Sequence, residues 1–168
     1  MGNIRILTSK VVVFIALMCC SISVHAHGLD YSVLRLSKMS EHTLSLTLTS
    51  SLDAFRKEVR QHFSKSPYAT PEEFNEQLLA HIKKTLLLTG ENKQIALGEG
   101  TVTLGHETSV VFRSVTLPKN LRKITLTNGA VKDIYRHATK LIVTAEKTGT
   151  QTHILNKSND FTATFFVE

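Results

Sequence analysis

Residues 43–63 read TLSLTLTSSLDAFRKEVRQHF, and the change of rhythm inside this stretch decides the fold class. Leu44, Leu46 and Leu48 alternate with Ser45, Thr47 and Thr49, the two-residue period of a strand with one buried face. From there the apolar positions are Leu52, Phe55, Val59 and Phe63, spaced by three and four as on a helix stripe. Arg56, Lys57, Glu58 and Arg60 fall on the other face of that helix and are expected in water. A strand that runs straight into an amphipathic helix places both in one α+β domain.

Working backward, residues 29–38 (LDYSVLRLSK) form a second strand, joined to the first through residues 39–42 as a hairpin. Working forward, Ser64-Lys65-Ser66-Pro67 breaks the helical pattern, and Thr70-Pro71-Glu72-Glu73 opens another helix. Threonine caps, proline suits the first helical position, and Glu73 completes a capping box at the positive end of the helix dipole. Phe74, Leu78 and Ile82 make its buried stripe, with His81 flanking it. After Lys84 the period returns to strands: 85–89, 94–97, 101–104, 109–117, 123–127, 141–146, 151–155 and 161–167. Gly90-Glu91-Asn92-Lys93, Asn128-Gly129 and Thr148-Gly149 are turn signals, and Pro118 closes a strand. The expectation is an α+β fold: a β-rich, two-layer, sandwich-like domain with a two-helix excursion at about 52–84. Helices, short strands and the absence of Trp argue against an outer-membrane barrel.

Residues 11–28, VVVFIALMCCSISVHAHG, set the compartment. Arg5 and Lys10 precede an apolar run that turns small and polar before Val24 and Ala26, the −3 and −1 positions of a secretory signal peptide. The expected division is a signal peptide at 1–26 and a single exported domain at 27–168, with His27 as first mature residue. The apolar run falls short of the roughly 20 residues a membrane span needs. Both cysteines, Cys19 and Cys20, lie in the signal, so packing alone must hold the exported domain. That suits a bacterial periplasm or cell surface.

Of the 20 Lys and Arg, two lie in the signal, leaving 18 − 14 = +4 on residues 27–168. Residues 119–147 carry seven basic side chains against Asp133 and Glu146. Lys119, Arg122 and Lys123 are therefore candidates for binding an anionic surface, such as lipopolysaccharide phosphate or anionic lipid. Ranked above that is protection of exposed strand edges by charge. Nucleic acid is excluded as a partner, because no aromatic side chains are interleaved with the basic ones as stacking platforms.

The usual hydrolase signatures are missing: no G-x-S-x-G, S-x-x-K, H-E-x-x-H or phosphate-binding glycine loop. Histidine is the unusual residue, with His27, His42, His62, His81, His106, His137 and His153 beyond the signal. A terminal His27 offers its amine and ring nitrogen together, a chelate suited to copper, and a second imidazole completes the site. This arrangement resembles the histidine brace of periplasmic copper proteins and copper oxygenases. His42 stands a strand's length, about 30 Å, from His27; His62 or His106 is the partner to consider. Ranked above copper is the reading in which no cofactor binds.

The stretches HGLDYSV, LSLTLTSSLDAF, KKTLLLTGENKQIALG and ITLTNGAVKDIY resemble an uncharacterised, domain-of-unknown-function family of small exported bacterial proteins. That resemblance implies a β-rich exported domain without an assigned activity. AHGLD at 26–30 also resembles the extracytoplasmic N-terminus of nickel or cobalt permeases, which continue into membrane helices as this chain does not. The function expected first is an exported accessory or binding protein of unassigned ligand, serving an envelope assembly or transport system. A copper-binding protein using His27 is second, and a hydrolase with a dispersed site is third.

Overall fold

The computed structural model describes residues 31–145 and 149–167. Residues 1–30, 146–148 and 168 lie outside the described residues, and with them the expected signal peptide and His27. The chain runs β1 (Tyr31–Ser40), β2 (Thr43–Ser51), α1 (Leu52–His62), α2 (Pro71–Thr85), β3 (Leu86–Gly90), β4 (Lys93–Ile95) and β5 (Gly100–Thr103). It continues through β6 (Glu107–Thr116), β7 (Lys123–Asn128), β8 (Ala138–Ala145), β9 (Gly149–Leu155) and β10 (Thr162–Phe166). A 3-10 turn, Lys157–Asn159, separates the last two strands.

These strands form a six-stranded sheet ordered β5-β6-β2-β1-β8-β9 and a four-stranded sheet ordered β10-β7-β3-β4. The α+β expectation holds: the fold is mostly strand, in two sheets, with two helices between β2 and β3. The β1–β2 hairpin pairs Leu34 with Leu48 and Leu36 with Leu46, so one face carries leucine throughout. On the other side of β1, β8 runs parallel, with Leu34 opposite Leu141 and Leu36 opposite Val143. β2, both helices and β3 to β7 intervene in sequence between these two neighbours.

One contiguous buried cluster joins the layers. The large sheet contributes Leu34, Leu46, Leu48, Phe112 and Leu141; the small sheet contributes Leu88, Ile124, Leu126 and Phe165. The helices add Phe55 and Val59, then Phe74, Leu78 and Ile82. Each such side chain contributes about 1.5–3 kcal/mol on leaving water. Gly100 permits the close approach of α2 to the large sheet: a Cβ there would stand 2.7 Å from Phe112 and 2.8 Å from Leu79.

Local chemistry fixes where each helix begins. The Ser51 hydroxyl accepts from the Ala54 N–H at 3.2 Å, and the Thr70 hydroxyl accepts from the Glu73 N–H at 3.2 Å. The expected capping box is not closed on Thr70, however. The Glu73 carboxylate reaches the Ala69 N–H instead, at 2.6 Å. Glu91 and Asn92 both take positive φ in the two-residue β3–β4 turn; the residue type favours this at Asn92 but not at Glu91, and Gly90 does not take it.

One expectation about the helices fails: Glu58 does not lie on a solvated face but is 1% exposed. His81, beside the buried Leu78 and Ile82, is itself 3% exposed. Both side chains are turned inward because α1 and α2 pack against each other and against the β7–β8 connection. No helix among the described residues is long and apolar enough to cross a membrane.

Candidate metal centre

Glu58 and His62 stand one turn apart on α1, a spacing that puts both side chains on the same helix face. His81, near the end of α2, completes a group whose ligating atoms lie within 4.8 Å of one another. The Nε2 atoms of His62 and His81 are each 3.5 Å from Glu58 Oε2. Their rings lie 4.6 Å apart, tilted by 33°. Ligands at about 2.0–2.2 Å from a tetrahedral ion are separated by about 3.3–3.6 Å. Both imidazole–carboxylate separations fall in that range.

The third side of the centre is the connection between β7 and β8. Buried Ala130 and Val131 pin it to the core, and its ends are tied by polar contacts. The Gly129 N–H donates to the Thr85 carbonyl at 2.9 Å, and the Ala130 N–H donates to Asn128 Oδ1 at 3.2 Å. At the far end, His137 Nε2 lies 2.8 Å from the buried Ser32 hydroxyl of β1. So held, the connection presents the Ala130 carbonyl 3.0 Å from His81 Nε2 and the Asp133 carboxylate 3.0 Å from His62 Nε2.

These contacts determine the hydrogen positions. A carbonyl only accepts, so His81 Nε2 carries a hydrogen and donates it to Ala130. Glu58 Oε1 accepts from the Asp133 N–H at 3.1 Å. Glu58 Oε2, facing both imidazoles, has no hydrogen-bond partner although it is fully buried. A buried carboxylate oxygen without a hydrogen-bond partner is an expensive arrangement unless a positive charge lies beside it. A divalent ion would take Oε2 and the two Nε2 atoms, each ring then carrying its hydrogen on Nδ1 and His81 giving up its bond to Ala130, and would find Asp133 Oδ2 at hand as a fourth donor. Nitrogen and oxygen donors without sulfur suit zinc, copper or nickel.

The candidates named from sequence are distributed as follows. His62 belongs to the centre. His106 lies in the β5–β6 connection, in a depression shared with Tyr31, Arg35 and Ser51, and its carbonyl accepts from the Leu52 N–H at 3.2 Å. It is not part of the Glu58 group. His27 lies outside the described residues. Arg122 and Lys123 border a polar depression of about 550 Å³ on the small sheet with Asn120, Thr125 and Thr164, while Lys119 stands in the preceding connection. The basic stretch is spread over both sheets, Lys123 on β7 and Lys140 on β8, with Lys132 and Arg136 between.

Glu58, His81 and Asp133 escaped the sequence reading. Glu58-x-x-x-His62 within one predicted helix was the available signal, obscured by the basic residues around it. No family model matches the chain, and no curated protein matches it.

Proposed function

We propose that this is an exported binding protein of the bacterial envelope whose ligand is a divalent transition metal. Glu58, His62 and His81 hold the ion on a two-layer, sandwich-like scaffold, with Asp133 as a supplementary donor. One observation carries the reading: the fully buried Glu58 Oε2, without a hydrogen-bond partner, 3.5 Å from each of two imidazole nitrogens. Zinc is the ion favoured, since it accepts three or four mixed nitrogen and oxygen ligands without imposing a planar geometry.

A calorimetric zinc titration of the purified protein tests this. One equivalent should bind, with affinity falling as the solution is acidified, because imidazoles must be unprotonated to ligate. His62→Ala and His81→Ala should each weaken binding by at least about 100-fold, more than loss of a supporting partner alone. Unaltered zinc affinity in both variants would remove the assignment. Copper at an N-terminal His27 is a distinct reading: it would leave copper uptake indifferent to His81→Ala, and sensitive to His62→Ala only where His62 supplies the second imidazole.

A further inference from the structure

We propose that the metal held by Glu58, His62 and His81 takes a small oxyanion, of the phosphate or carboxylate class, as an exchangeable ligand. This rests on the metal-binding reading above. The inner side of the centre is closed by the core, for Glu58 and His81 are buried and their neighbours Val59 and Ile82 are fully so. The outer side is open: the side chains of His62 and Asp133 are 36% and 30% exposed.

Outward from Glu58 lies a depression of about 540 Å³ between α1 and the β7–β8 connection. Lys57, Arg60 and Gln61 border it on the helix, and Asp133 and Tyr135 border it opposite. Three protein donors leave a zinc ion one short of its usual four. Asp133, which borders this depression and has Oδ2 3.0 Å from His62 Nε2, is the protein's own claimant for the fourth position, and an entering ligand exchanges with it there.

Charge decides what else can enter. The carboxylates of Glu58 and Asp133 together balance a divalent ion. Lys57 and Arg60 are exposed, and neither forms an ion pair among the described residues. Arg60 is steadied with its guanidinium 5.9 Å from the centre of the Tyr68 ring. The loaded depression thus keeps two positive side chains beside the coordination position that Asp133 can yield. An oxyanion meets both requirements, giving one oxygen to the metal and others to the ammonium and guanidinium groups. Without metal, Glu58 and Asp133 repel it.

The test uses the purified protein carrying one equivalent of zinc, titrated separately with inorganic phosphate and with acetate. One anion per zinc should bind, and the metal-free protein should bind none. Lys57→Gln combined with Arg60→Gln should weaken anion binding at least about tenfold and leave zinc affinity unchanged. The tighter of the two anions identifies the class. Zinc-loaded protein that takes neither anion overturns this inference while leaving the metal site in place. Equal anion binding with and without zinc overturns it too. Failure to take up zinc at all removes both readings, and it shows before any anion is added.

Discussion

Replacing Glu58 by methionine distinguishes a ligand from a structural acceptor. Glu58 is 1% exposed, with Oε1 accepting from the Asp133 N–H and Oε2 without a hydrogen-bond partner, 3.5 Å from two imidazole nitrogens. Methionine has a similar length and no charge. It forfeits the Asp133 hydrogen bond, about 0.5–1.5 kcal/mol, and relieves an unsatisfied buried acceptor worth about 1–3 kcal/mol and more when charged. In the absence of metal the variant should therefore be more stable than wild type by about 1 kcal/mol or more. Adding zinc at a thousandfold excess over Kd should stabilise the wild type by about 4 kcal/mol and the variant by far less. The stability order of the two proteins should invert. Urea denaturation at pH 8, with chelator and then with zinc, reads both effects as midpoint shifts at unchanged slope. A variant that is weaker without metal, and that gains as much from zinc as wild type does, would refute the reasoning. Glu58 would then serve only to hold Asp133.

Other expectations concern the scaffold and the surface. Phe74→Ala should cost about 3 kcal/mol or more by leaving a cavity beneath α2, against about 1 kcal/mol for Thr70→Ala; equal midpoints in a thermal melt would contradict the packing described. Adding one residue before His27 in the processed protein should abolish copper uptake if the terminal amine ligates, and should leave it intact if copper occupies the Glu58 centre. Binding to anionic vesicles through Lys119, Arg122 and Lys123 should weaken steeply with salt, whose screening length is about 10 Å at 0.1 M. It should fall again when all three are changed to serine; absence of binding at low salt would leave those side chains to edge protection.

Local rules carried most of the fold. Alternation placed β2, three-and-four spacing placed α1, and Thr70-Pro71 placed the start of α2, because each reports a periodicity or a cap contained in a few residues. The parallel seating of β8 on β1 was not legible. That register depends on partners separated by most of the chain, and neither strand's own pattern specifies it. The candidate site failed to show for a related reason. Glu58 sits among Arg56, Lys57 and Arg60, so its neighbours announce a wet surface, whereas its burial depends on α2 and the β7–β8 connection closing over it. His81 looked like the margin of an apolar stripe until the Ala130 carbonyl was placed opposite it. His62 was singled out as a potential ligand, but for a different partner.

The most direct test of the metal centre is to locate the ion. Crystals grown with one equivalent of zinc, measured on both sides of the zinc absorption edge, should show a single anomalous peak about 2.0–2.2 Å from Glu58 Oε2 and from a ring nitrogen of His62 and of His81. A protein with no peak at those three side chains, or with its zinc held elsewhere on the surface, would contradict the account.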